Sequence, residues 1–139
     1  MKTLSLIITL FFAITLSNAQ DEQCKNITVT VANASNDNGV LKFSLHTIDT
    51  FMKGPGIVTV DSKIENGETV ATFNNVSPGT YFIMVIHDEN ENGTMDFGAD
   101  GRPTEAYGMS NNPPKFGPPL FDQGKFDLST EGIEMSIQL

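Results

Sequence analysis

The segment Asp88-Glu89-Asn90-Glu91-Asn92-Gly93-Thr94-Met95-Asp96 places oxygen-bearing side chains at alternate positions, with a glycine at the sixth. A hard divalent cation such as calcium takes six to eight oxygens at roughly 2.3–2.6 Å, and a tightly coiled loop brings alternate side chains to one point. In this pattern Asp88, Asn90 and Asn92 supply side-chain oxygens and Gly93 allows the sharp turn. The Thr94 carbonyl points inward, and Asp96 binds directly or through water. The expected cofactor is therefore calcium.

Two departures separate the segment from a complete EF-hand loop. Position twelve is Ala99 where a bidentate carboxylate is needed, and the flanks carry no helical pattern. Asp100 or Glu105 would have to complete the shell. The competing structural account is an Asx-rich turn that satisfies its own backbone. The two histidines, His46 and His87, have no HxH or HExxH partner and give little support for a transition-metal site. Catalysis is not expected, because no Gly-x-Ser-x-Gly or related nucleophile pattern occurs and the loop carboxylates sit together on one polar segment. A second set of candidates, for a binding surface, lies just downstream: Arg102, the single arginine of the chain, with Tyr107, Asn111 and Phe116.

These residues must be held by β-structure. Ile27, Val29 and Val31 alternate with threonines, and Leu41, Phe43 and Leu45 alternate with Lys42, Ser44 and His46, as half-buried strands require. With the turn Asp37-Asn38-Gly39 between them, Asn26–Val31 and Val40–Ile48 are expected to form a hairpin. Ile57–Ile64 and Glu68–Phe73 flank Asn66-Gly67, the strongest short hairpin signal, and predict a second. Thr80–His87 is apolar on both faces, as a central strand would be. Short strands at Phe126–Leu128 and Ile133–Leu139 close the chain. About seven strands and no helical period predict an all-β immunoglobulin-like or prealbumin-like sandwich. The stretch 88–123 forms one long ordered loop, since its Gly- and Pro-rich part still holds Tyr107, Met109, Phe116, Leu120 and Phe121.

Residues 1–19 read as a signal peptide: Lys2, an apolar or hydroxyl run from Leu4 to Leu16, and small residues Ser17 and Ala19 before the cut. The run is shorter than the roughly 20 apolar residues a spanning helix needs, and no later segment is long enough. Residues 20–139 then form a single domain, exported to the periplasm, outer surface or extracellular space. Loss of Lys2 takes the net charge from −9 to −10, which makes nucleic acid and anionic lipid surfaces poor partners and cations better ones. Cys24 is the single cysteine, so no intramolecular disulfide contributes to stability.

The motifs HDENENGTMD (87–96), PTEAYGMSNN (103–112) and FGPP (116–119), approached through SPGTYFIMVIHDEN (77–90), resemble a family of small exported bacterial proteins defined only as a domain of unknown function. That resemblance spans essentially residues 20–139 and implies no activity. A shorter one, about 20 residues around Pro78-Gly79-Thr80-Tyr81, is to prealbumin-like and immunoglobulin-like modules of bacterial surface proteins. It implies a sandwich with an adhesive or structural role. The expectation is a noncatalytic, calcium-binding envelope or extracellular module with a protein or glycan partner. The alternatives are a metal-free structural module, or a small-ligand carrier or enzyme with a pocket beside the long loop.

Overall fold

A computed structural model describes residues 23–139, so the leader assigned to residues 1–19 lies outside the described residues. Along the described chain run β1 (Lys25–Val31), β2 (Val40–His46), β3 (Val58–Ser62), β4 (Thr69–Val76), β5 (Gly79–Asp88), β6 (Tyr107–Met109), the single helical turn α1 (Phe121–Gly124), β7 (Phe126–Leu128) and β8 (Ile133–Ser136). One sheet has the order β4-β1-β8, the other β3-β2-β5-β6, with β7 pairing the start of β5. The chain is an all-β sandwich. Among the described residues no helix is long and apolar enough to cross a membrane.

Alternation decides what each strand buries. Ile27, Val29 and Val31 of β1 and Ala71 and Phe73 of β4 face Leu41, Phe43 and Leu45 of β2 and Tyr81, Ile83 and Val85 of β5 across one core, which Leu128 and Ile137 complete. Each fully buried large side chain there contributes about 1.5–3 kcal/mol relative to exposure. His87 continues the inward row of β5 and is fully buried. Its Nε2 donates to the Asn38 carbonyl at 2.9 Å, and its buried Nδ1 has no hydrogen-bond partner among the described residues, a carboxylate oxygen of Glu89 lying 3.9 Å away.

Neither expected hairpin pairs as the sequence suggests. β1 and β2 lie in different sheets: β1 pairs β4 antiparallel and β8 in parallel, whereas β2 pairs β3 and β5. The Asp37-Asn38-Gly39 link is a crossover between layers. Asp37 accepts the backbone N–H groups of Asn66 and Gly67, and Gly39 packs so closely on the end of β5 that a Cβ would lie 2.0 Å from the Asp88 carbonyl oxygen. The Asn66-Gly67 turn does form, with both residues at positive φ and a bridge between Glu65 and Glu68. Its two arms then diverge, β3 to one sheet and β4 to the other, with Ser62 and Thr69 hydroxyls bonded at 2.6 Å at the fork. Period-two patterning is the same whether a strand's apolar face meets its neighbour's in one sheet or across the core.

The long loop also differs from the expectation, because two pieces of it are regular. β6 extends the larger sheet, making eight strands among the described residues where about seven were expected, and α1 caps the outer side of β5. At that end Phe82 is covered by Phe51 and Phe121, with ring centroids 4.5 and 5.9 Å away, and Gly124 abuts its ring so tightly that a Cβ would meet Cε2 at 2.4 Å. Ser110 joins these parts. Its buried hydroxyl accepts from the Ile83 N–H at 3.0 Å and donates to the Gly124 carbonyl, while its own N–H bonds the Ile83 carbonyl. Replacing it, Ser110→Ala, leaves a buried donor and a buried acceptor unmatched and should lower unfolding free energy by about 1–3 kcal/mol. Urea titration of the two proteins checks this; an unchanged midpoint would show that water replaces the hydroxyl without cost.

Candidate functional site

Just past the end of β5 the acidic loop closes on itself. Both oxygens of Asp88, a side chain only 1% exposed, accept backbone N–H groups, from Asn92 at 3.0 Å and Gly93 at 2.7 Å. Asn90 and Asn92 aim their amide nitrogens at the two oxygens of Asp96, at 2.6 and 2.8 Å. Their own carbonyl oxygens accept from Asn92 N and from the N–H and hydroxyl of Thr94. Glu91 and Gly93 take positive φ, which makes the coil possible. Asn90 and Asn92 are thus tied to Asp96 in one knot, Asp88 holds the backbone of the same loop, and Thr94 takes part through its N–H and hydroxyl, not the carbonyl expected of it. A cation in that knot would need Asn90 and Asn92 to turn their amides so that oxygen replaces nitrogen, which gives up the bonds their oxygens accept from Asn92 N and from Thr94. Two carboxylates and two amides form a weak donor set, and among the described residues no group of three or more His, Cys, Asp or Glu side chains is arranged to hold a metal.

Glu105 sits beside this knot in a different role from the expected one. It is 8% exposed, and its oxygens accept the backbone N–H groups of Glu89 and Asp96, both at 3.1 Å. One carboxylate therefore closes the acidic loop from across the long loop. Around it, Ala106 accepts from His87 N at 2.8 Å and Asp96 accepts from Thr104 N at 2.9 Å. Asp100 faces its own turn: it accepts from the Arg102 N–H, and its other oxygen lies 3.7 Å from the Arg102 guanidinium.

The larger feature is a groove of about 1560 Å³ on the outer face of the five-stranded sheet. Strand register builds its floor: Lys42 lies opposite Ile86, which pairs in turn with Tyr107, and Ser44 lies opposite Met84. One wall is the Phe51–Pro55 loop. The other comprises Phe97, Arg102 to Tyr107 and the Lys115–Pro119 segment, and Gly93, Thr94 and Met95 of the acidic loop form part of the rim. Lys115 donates to the Tyr107 carbonyl at 2.6 Å and lies over its ring, and burial lowers its ammonium pKa. His46 also lines the groove, its pKa lowered by burial despite an opposing contribution from Thr50.

Of the surface candidates, Arg102, Tyr107 and Phe116 therefore meet in this groove with Glu105 and Thr94. Asn111 does not: it takes positive φ, and its amide donates to the Lys125 carbonyl at 2.8 Å, pinning the long loop to the strand that follows α1. His46 and His87 point to opposite faces of one sheet and share no site. Phe51 of one wall and Lys115 of the other were not candidates, and Met84 and Ile86 of the floor entered only as part of the central strand, beside the pocket of one alternative reading. The signal for those two was the second apolar row of β5, which in a two-layer fold has no third sheet to cover it.

A family model described as an uncharacterized protein conserved in bacteria (DUF2141) matches residues 29–136. The chain belongs to this family. The match runs from β1 to β8 and so takes in both sheets, the acidic loop and both walls of the groove. No curated protein and no solved structure matches the chain.

The clip yields a direct test. In Glu105→Gln one acceptor becomes an NH2 group facing an N–H donor. A loss of about 1–3 kcal/mol is expected, with hydrogen exchange accelerating first at the Glu89 and Asp96 amides. Unchanged exchange at both would remove Glu105 as the link between the loops.

Proposed function

We propose that this DUF2141 chain is a noncatalytic, exported binding module whose ligand occupies the groove on the outer sheet face, with calcium stiffening the rim at Asp88–Asp96. The observation that carries the proposal is the groove itself. Ligand sites are apolar concavities with a few polar groups, typically 300–1,000 Å³, and this one exceeds that range while collecting Arg102, Tyr107, Phe116 and Glu105. Phe116, Phe97 and Met52 on its margin are 93%, 63% and 63% exposed, so a ligand would remove large apolar area from water. Export rests on the leader pattern of residues 1–19. An uncharged apolar dye such as Nile red should bind the folded chain and brighten, and Met84→Glu, which sets a charge in the floor, should weaken binding about tenfold or more. A folded chain that leaves the dye dark would end the groove proposal.

Calcium is supported by the convergence of Asp88, Asn90, Asn92 and Asp96 on one knot. A metal-free turn is the second reading, favoured by the internal donors that already satisfy these oxygens. A thermal melt in chelator, then in 10 mM calcium or magnesium, separates the two. For a dissociation constant of about 10⁻⁴–10⁻³ M, usual for extracellular modules, calcium should stabilise the fold by roughly 1.4–2.7 kcal/mol. Asp96→Asn should abolish the shift. Identical melts in chelator and calcium would leave the loop as a self-satisfied turn.

A further inference from the structure

Cationic side chains line the groove of an acidic chain. The protein carries −9 overall, yet Lys42, His46, Arg102 and Lys115 line the groove and Glu105 is its single acidic lining residue. Both oxygens of Glu105 are taken up by the backbone N–H groups of Glu89 and Asp96. The cations differ in what they already hold. Lys42 bonds both oxygens of Asp61, at 2.8 and 2.9 Å, and Arg102 lies beside Asp100. Lys115 alone among these three has no carboxylate partner among the described residues: its ammonium donates to one neutral carbonyl and lies 5.0 Å from the Tyr107 ring centroid. An ammonium has three N–H donors, so two remain for a ligand. Below it the floor is hydrocarbon, Met84 and Ile86, and Phe51, Phe97 and Phe116 stand around it.

An apolar trough with one uncompensated cation at its wall fits a molecule with a long apolar body and one negative head. We propose that the groove binds a free, monomeric long-chain carboxylate, its chain along Met84 and Ile86 and its head group on Lys115. The proposal rests on the groove being the ligand site. It accounts together for the apolar floor, the exposed aromatic margin and the ammonium at the wall that has no carboxylate beside it. Partial withdrawal of Lys115 from water, which disfavours its charge in the empty groove, is relieved when an anion arrives.

The test is isothermal titration of the full chain with dodecanoate, dodecan-1-ol and dodecyltrimethylammonium, all below their aggregation concentrations. Dodecanoate should bind about tenfold tighter than the other two, the effect of one partly buried ion pair. Its affinity should rise roughly threefold per methylene from octanoate to dodecanoate. Lys115→Met should remove the preference for carboxylate over alcohol, chiefly by lowering carboxylate affinity, and Lys115→Gln checks that shape is not the cause. Equal binding of all three probes overturns the anionic assignment while the groove remains a ligand site. Binding of none overturns the groove proposal and this one with it. Binding to anionic lipid vesicles without binding to monomeric dodecanoate would make the site a membrane contact, and would also overturn the proposal.

Discussion

A two-layer sandwich can bury only one face of each sheet, and β5 is apolar on both. Its inner row, Tyr81, Ile83 and Val85, meets the small sheet across the core. Its outer row, Phe82, Met84 and Ile86, has no third layer. Much of the remaining architecture answers that constraint. Phe82 is covered by Phe51, Phe121 and the close approach of Gly124, and the tight packing there leaves no room for a ligand. Two residues further along, Met84 and Ile86 are only partly covered, and the uncovered part is the groove. At the end of the same strand Asp88 accepts two backbone N–H groups and so organises the acidic loop. One strand thus runs from aromatic core through ligand floor to polar knot, at a spacing of two residues per step.

Because the loops do the work of a layer, they must be held as firmly as one. An ordinary surface loop carries few buried contacts and opens at little cost. Here the polar groups are placed to prevent that. Ser110 ties β6 to β5 and α1, Glu105 ties the long loop to both ends of the acidic loop, and Asn112 accepts from Gln138 N and donates to the Ser136 carbonyl at the far edge. These are side-chain bonds to backbone groups, the kind that fix irregular segments without a regular ladder. They explain how a segment dense in glycine and proline stays ordered.

The same physics separates what was legible in the sequence from what was not. Alternation located β1, β2, β5 and β8, because burial on one face is a local property of the chain. It could not assign β1 and β2 to opposite sheets, since Leu41, Phe43 and Leu45 look the same to either arrangement; that choice depends on Asp37 reaching the Asn66-Gly67 turn some thirty residues away. β6 was hidden because three residues, Tyr107-Gly108-Met109, carry too short a pattern, and Gly108 is there for packing: a Cβ would meet the Gln138 carbonyl at 2.4 Å. The acidic loop was recognisable from spacing alone. Glu105 was a candidate on nearness in the chain, but its role as a two-pronged acceptor required the fold. Lys115 gave no sign, because a lone lysine acquires meaning only from the absence of a carboxylate around it.

The clip at Glu105 also ties the two proposed sites into one equilibrium. Gly93, Thr94 and Met95 belong at once to the acidic loop and to the groove rim, and Ala106 and Tyr107 follow directly on Glu105 in the wall. A cation that orders the loop favours the state in which Glu89 and Asp96 present their N–H groups to Glu105, and that is the state in which the wall stands. A ligand leaning on the wall favours the same state. Two ligands that select one conformation raise each other's affinity by an equal factor, whatever route connects them. The coupling is bounded by the free energy of opening the clip, about 1–3 kcal/mol for a buried pair of acceptors. It therefore adjusts affinity severalfold to about a hundredfold and does not switch binding on or off.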